Sequence, residues 1–175
     1  GHDTVYDHMM IDGLEDAYQK GLPMGHFAEQ CVTHYNFTRE QQDAFAIQSV
    51  ARAQHAAEQG LFNNEIAAQE IKTRKQTAVI NADEGPQTIK IEKIPQLRPV
   101  FSQSGTITAA NASSISDGAA AIVLSSEQVA KDLEPLAYIV AHHSHAQAPE
   151  WFTTAPIKAI TGVLEKANWS LDTRN

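Results

Sequence analysis

Between Gly105 and Ala121 the chain reads GTITAANASSISDGAAA, with no side chain larger than isoleucine and Asp117 as its one charge. Side chains this small suit two roles: close packing of the protein on itself, or a backbone that a ligand approaches closely. Either role demands a scaffold built by the rest of the chain.

The 175 residues, 42% hydrophobic and 19% charged, suit a folded globular protein with a real core rather than a disordered chain. Thirteen basic against twenty-one acidic residues leave a net charge of -8, and only Lys72 to Lys75 forms a local basic cluster. Nucleic-acid binding depends on neutralising phosphates with clustered Lys and Arg, so that class is not expected. No run of about eighteen apolar residues is present, so no membrane partner is expected either. The N-terminus lacks the basic and apolar regions of a signal peptide. A lone cysteine makes no internal disulfide, and a cytoplasmic location is the expectation.

Along the chain, the first twenty-two residues have no clean period, and Met9, Ile11 and Leu14 suggest an extended stretch leading into a turn at Gly21 to Pro23. From Met24 a helical period takes over, with Phe27, Ala28, Cys31, Val32 and Tyr35 on one buried face. Asn36 to Thr38 interrupt it. Thr38 and Gln41 have the spacing of a capping box, and the alanine-rich helix that follows should stop at Gly60, which readily turns left-handed. Ile66–Ala68, Glu70–Lys72 and Ala78–Ile80 suggest short strands around a loop at Asn81–Pro86. Further on, Ala119–Leu124 and Leu136–Val140 read as buried strands, separated by a short helix that Ser125 to Gln128 would cap. Thr154, Ala155 and Pro156 open a last helix, whose buried face would be Ile157, Ile160, Val163, Leu164 and Ala167. The tail from Trp169 to Asn175 has no stop signal of its own. Helices and short strands followed by strand, helix, strand and helix point to an α/β or α+β architecture.

The groups able to do chemistry do not assemble into a site by spacing. Cys31 sits in an apolar helical stripe, where a cysteine usually serves as a small buried hydrophobe. His142, His143 and His145 form a cluster in which the last two share one side of a strand, but no third ligand follows at a recognisable spacing. His26 and His34 carry no motif. Neither phosphate-cradling loop, G-x-x-x-x-G-K-[ST] nor G-x-G-x-x-G, is present.

The string GTITAANASSISDGAAAIVLSSE resembles the thiolase signature, which runs G-T-[VI]-T-A-G-N-A-S-G-x-x-D-G-A-A-A. Other segments resemble thiolase landmarks in the same order. These are Val5 to Asp7 with Asp12 to Leu14, Met24 and Gly25 with Ala28 and Glu29, and Thr38 to Glu40 with Gln42 and Asp43. Leu97 to Pro99 with Phe101, and Ala155 and Pro156 with Ala159, complete the series. The resemblance implies a thiolase-like α/β fold, incomplete here: an α+β loop domain plus parts of the two thiolase half-domains. Residues 1–112 would be the loop domain that covers coenzyme A, 113–132 the closing segment of the N-terminal half, and 133–175 the opening strand and helix of the C-terminal half.

Thiolases join or cleave carbon–carbon bonds between acyl-CoA molecules through an acylated cysteine, a second cysteine as acid and base, and oxyanion holes of His and Asn groups. The resemblance places the acylated cysteine upstream of Val5 and the N-E-A-F, G-H-P and C-x-G-G-G motifs downstream of the helix begun near Pro156. Asn64-Glu65 and Gly25-His26 lack the residues that would complete those motifs, so no catalytic residue and no metal site is expected, and the chain alone is expected to be inactive. What the resemblance leaves is coenzyme A surface: Leu14, Met24, Phe101, Ala109 and Ser113, with CoA thioesters as substrates and no further cofactor. Pro23 replaces a histidine of many biosynthetic members, Ala110 and Ser114 replace two signature glycines, and Thr153 to Pro156 replace a glycine-containing turn. Ile89 to Gln96 lack the serine and basic adenine contact of some members. A parent enzyme would be a homodimer or homotetramer. Two other classes stay open: a non-catalytic CoA-binding or assembly module, and a metal-binding module on His142, His143 and His145. Unfilled sheet edges at Ala119–Leu124 and Leu136–Val140 would favour association of the chain.

Overall fold

The computed structural model describes residues 1–172, so the last three residues of the expected tail lie outside the described residues. The chain forms two compact units, Val32–Ser113, and Gly1–Cys31 with Ser114–Asn175. The boundary falls inside helix α1 (Met24–Tyr35).

Val32–Ser113 is built on α2 (Arg39–Glu58). Its start is the expected capping box. The Gln41 backbone N–H donates to the Thr38 hydroxyl at 3.2 Å, and the Thr38 N–H donates to Gln41 Oε1 at 2.9 Å. Two of the four N–H groups that a helix start leaves unpaired are thereby satisfied. Its end is at Gly60, with φ +68° and the Leu61 N–H reaching back to the Ala56 carbonyl.

One face of α2 carries the core. Ala46 and Val50 pack with Ile94, which is 1% exposed in the 3₁₀ turn Ile91–Gln96, while Ile47, Ile91 and Ala110 close around them. Burying Ile94 stabilises by roughly 1.5–3 kcal/mol. The small side chain of Ala46 on α2 lets that turn approach closely. Gln54 ties the short helix α3 (Glu84–Thr88) to α2 through the Pro86 carbonyl at 2.7 Å. Strands β1 (Gln69–Lys72) and β2 (Thr77–Ile80) pair antiparallel, Gln69 opposite Ile80 and Lys72 opposite Thr77.

The loop expected between the short strands lies elsewhere. The hairpin turns at Thr73–Gln76, where the Thr73 hydroxyl accepts from the Gln76 N–H at 3.1 Å, and Glu84–Thr88 is helical instead. A threonine hydroxyl supplied the turn that Gly or Asn commonly marks.

In the other unit, Met10–Leu14 forms a single π-helical turn rather than the extended stretch expected for Met9, Ile11 and Leu14. Asp7 Oδ1 accepts from the Met9 and Met10 N–H groups, an Asx turn that draws the backbone into a coil. The turn at Gly21 is present, with φ +85°. The expected Phe27 face of α1 is fully buried at Phe27, and Cys31 is half-buried.

The expected buried strands Ala119–Leu124 and Leu136–Val140 are exposed and carry no ladder among the described residues. Val123 is 97% exposed, and Leu124, Leu136, Tyr138 and Ile139 are open as well. A strand is stable only when another strand pairs with its N–H and C=O groups, and apolar composition supplies no partner. Residues 117–121, which lead into the first of these segments, are exposed for the same reason. The expected cap on Glu127–Ala130, helix α4, is also missing, since Ser126 takes the N-cap position without a side-chain bond.

Helix α5 (Ala155–Ala167) begins where expected. Thr154 does not cap it. Its hydroxyl donates to the Trp151 carbonyl at 3.0 Å and accepts from Gln147 Nε2 at 2.7 Å. The packed face is also rotated from the expected one: Val163, Leu164 and Ala167 are half-buried, but Ile157 and Ile160 are exposed, and Ala159 and Gly162 are half-buried instead. Residues 141–147 lie along this helix with burial alternating residue by residue. His143 and His145 share the packed side, and a Cβ added at Gly162 would clash with the His143 ring. Helix α5 stops at Asn168, just ahead of that tail, left-handed at φ +55° and with the Trp169 N–H on the Leu164 carbonyl. Asn36 ends α1 in the same way, with the Phe37 N–H on the Val32 carbonyl. Both are the αL helix stop in which asparagine stands in for glycine.

Candidate functional site

The five expected coenzyme A residues fall in both units, Leu14 and Met24 in one, Phe101, Ala109 and Ser113 in the other.

Leu14 ends the π-helical turn and Met24 begins α1. Glu15 and Pro23 form an antiparallel bridge, with the Asp16 N–H on the Leu22 carbonyl at 2.9 Å. Leu14 and Met24 lie one residue outside this isolated bridge, each at the end of a helical element. Asp16 Oδ1 holds the intervening loop by accepting from Tyr18 and Gln19 N–H groups. Met24 is 41% exposed. An unbranched thioether held at a surface by such a closed loop can lie along a flexible ligand.

In the other unit the Val100 N–H donates to the Ile107 carbonyl at 3.0 Å and the Gly105 N–H to the Ser102 carbonyl. Phe101 therefore stands at the start of a closed loop, 37% exposed. The next turn is pinned from inside. Thr108 is wholly buried; its N–H donates to Asn111 Oδ1 at 2.7 Å and its hydroxyl accepts from the Ala110 N–H at 3.2 Å. Asn111 Nδ2 reaches the Thr106 carbonyl, and the Ala112 N–H reaches the Thr108 carbonyl. Ala110 turns into the α2 core, whereas Ala109 and Ser113 are exposed. The small-residue stretch thus buries one set of residues and presents another.

Thr108 and Asn111 were not among the expected site residues. Their three-residue separation is the spacing at which Thr and Asn side chains bond nearby backbone, and that signal was available in the sequence. The landmark residues at the start of α2 hold this region in place. Arg39 Nε donates to Asp43 Oδ2 at 2.8 Å, and Arg39 Nη2 to the carbonyls of Ile94 at 3.2 Å and Leu97 at 2.9 Å. Gln42 Nε2 donates to the Thr106 hydroxyl at 2.9 Å and to the Thr38 carbonyl at 3.2 Å. Glu40, at the same helix start, is held below the ordinary carboxylate range by its own backbone N–H, the Thr38 hydroxyl and neighbouring Arg39.

Among the described residues no three His, Cys, Asp or Glu side chains come together as a metal site. His145 Nε2 donates to Gln147 Oε1 at 3.2 Å, and Lys166 Nζ donates to the His142 carbonyl at 3.1 Å. No helix among the described residues is long and apolar enough to cross a membrane.

Comparison with known proteins bears on what this arrangement serves. Residues 1–128 match the family model of the thiolase N-terminal domain. A mitochondrial acetyl-CoA acetyltransferase of Gibberella zeae is 44% identical over 98% of this chain and 41% of its own length. Acetyl-CoA acetyltransferase 1 of Arabidopsis thaliana is 46% identical over 95% of the chain and 41% of its own length. The chain thus spans less than half the length of the curated relatives it matches. Among solved structures, the acetyl-CoA acetyltransferase of Bacillus anthracis superposes with a TM-score of 0.86 at 39% identity, covering 98% of this chain and 44% of that one. The Acat5 thiolase of Ascaris suum, solved in complex with coenzyme A, superposes with a TM-score of 0.84 at 39% identity over the same shares. The mixed α/β architecture is a partial thiolase fold, and the chain belongs to the thiolase family.

Proposed function

We propose that the chain is the central portion of a thiolase, an acyl-CoA C-acyltransferase that condenses or cleaves 3-ketoacyl-CoA through an acyl-cysteine. In this reading it supplies coenzyme A surface while the reacting groups lie in other parts of the polypeptide. The division into a CoA-covering region 1–112, a closing segment 113–132 and an opening strand and helix 133–175 belongs to the same reading, as does a dimeric or tetrameric parent.

The observation that carries it is the pinned turn at Thr108–Ala112. A buried Thr108 and a doubly bonded Asn111 hold exposed Ala109 and Ser113 in fixed places. Backbone flanked by side chains this small leaves room for a pantetheine arm to lie against it. Support also comes from the coenzyme A complex of the Ascaris suum thiolase, which is 39% identical to the chain over 44% of its own length.

The chemistry of the family explains why binding surface alone is inactive. The cysteine sulfur displaces CoA to form the acyl-enzyme, and an enolate of a second acyl-CoA then attacks that carbonyl and releases the sulfur. The enolate needs preorganised donors, and a second cysteine must move the proton. The chain holds one cysteine, Cys31, in the middle of α1.

Calorimetric titration with millimolar CoA tests the binding half of the reading. Heat that Ser113→Trp abolishes is expected, and no heat from the unaltered chain would count decisively against it. Acyltransferase activity in the isolated chain would refute the other half.

A further inference from the structure

We infer that the first turn of α2 is a positioning clamp for the coenzyme A loop, with Gln42 and Arg39 as its two positioning residues; this rests on the coenzyme A reading above. The two side chains are three apart in sequence, so they project from one side of the helix. They grip the loop at its two ends. Arg39 holds the incoming chain by the carbonyls of Ile94 and Leu97, ahead of Phe101. Gln42 holds the outgoing chain by the Thr106 hydroxyl, ahead of Ala109 and Ser113.

From Gln42 the bonding continues without a gap to the exposed positions. Thr106 offers its carbonyl to Asn111 Nδ2, Asn111 Oδ1 accepts from the Thr108 N–H, and the Thr108 hydroxyl accepts from the Ala110 N–H. Ala109 lies inside that closed ring of bonds and Ser113 follows directly. Gln42 is itself anchored, because its Nε2 also donates to the Thr38 carbonyl, and Thr38 is the helix N-cap. A rotation of the loop about Thr106 therefore stretches a hydrogen bond to a rigid helix terminus. Arg39 is held by Asp43, which is buried beside it. Neither Gln42 nor Arg39 needs to touch the ligand. Each lowers the cost of ordering the loop when the ligand arrives, which is how preorganisation raises affinity.

The test uses the 175-residue chain and CoA as the probe. Gln42→Met keeps length and apolar stem while removing both donated bonds, and a net hydrogen-bond contribution of the usual size makes CoA binding about fivefold weaker. Thr106→Val should weaken binding to the same degree, Thr106→Ser should restore the unaltered affinity, and Gln42→Met with Thr106→Val should be no worse than either alone. Backbone amide spectra give a readout free of ligand: Gln42→Met should shift the Thr108 to Ser113 signals and leave β1 and β2 unmoved. Unchanged CoA affinity in Gln42→Met, beside normal binding by the unaltered chain, overturns the clamp alone. Full additivity of the two substitutions also overturns it. Absence of binding by the unaltered chain removes the coenzyme A reading and the clamp with it.

Discussion

Within residues 32–113 the side chains of Asp43, Ala46, Val50, Ile94, Ile107 and Thr108 are buried, while among the described residues from 114 onward none is, although that later region is no poorer in Ile, Val and Leu. The difference lies in what the backbone has to pair with. Helix α2 satisfies its own peptide groups and offers one face to the 3₁₀ turn at Ile94, so a core closes within that unit. Residues 119–124 and 136–140 are of strand composition, and a strand completes its hydrogen bonds only on another strand. Helix α5, which needs no such partner, forms in the same region and ends at its left-handed Asn168 stop.

That contrast can be broken at its strong side first. Arg39→Ala leaves the buried Asp43 carboxylate without its partner and strips donors from the Ile94 and Leu97 carbonyls, so a loss of about 3–5 kcal/mol is expected. Urea unfolding followed by the signal of the α2 unit measures it, and a loss below about 1 kcal/mol would mean that the clamp is not what holds 94–97.

On the other side, Gly162→Ala puts a methyl against the His143 ring, where there is no room for it. Overpacking of this kind costs about 1–3 kcal/mol. The melting of α5 by circular dichroism should fall while the α2 unit keeps its own transition. Equal loss in both would show the two units to be one cooperative body.

Val123→Ser should change stability by no more than about 0.5 kcal/mol, since the side chain is already 97% exposed. It should instead reduce self-association in sedimentation velocity, because an unpaired apolar strand segment is a template for another chain. A monodisperse unaltered chain would contradict this expectation.

The smallest effect is electrostatic. Glu40 has its carboxyl held below the ordinary 4.5 in the folded chain. Its stabilising contribution is therefore complete above that ordinary value and is lost as pH falls through the lower folded value. Glu40→Gln should flatten stability against pH in that acid window, leaving the variant slightly less stable at neutral pH and equal to the unaltered chain at the acid end. A change confined to pH above 6 would assign the dependence to another group.

The helices were the most legible part. Thr38 with Gln41, Gly60, and Pro156 after Thr154 state where chains of hydrogen bonds start or stop, and such signals act over three or four residues. Asn36 was legible as the start of an interruption, whereas Asn168 acts equally locally but was passed over, because asparagine takes the left-handed conformation less often than glycine. The candidate site was half legible. The signature residues identified the Gly105–Ala121 stretch, and the Thr108–Asn111 pinning lay within three residues, yet the tie of this turn to Gln42 joins residues 64 apart in the chain.

By itself the sequence determined the capping box, the helices of the first and last parts, the chemical character of the small-residue stretch and the family to which it points. Only the tertiary structure decided which small residues turn inward, since Ala110 packs on α2 while Ala109 beside it faces out. It also decided that two apolar segments of strand composition remain open. Caps and stops are satisfied within a few residues of backbone, whereas burial and strand pairing require a second surface that local sequence cannot provide.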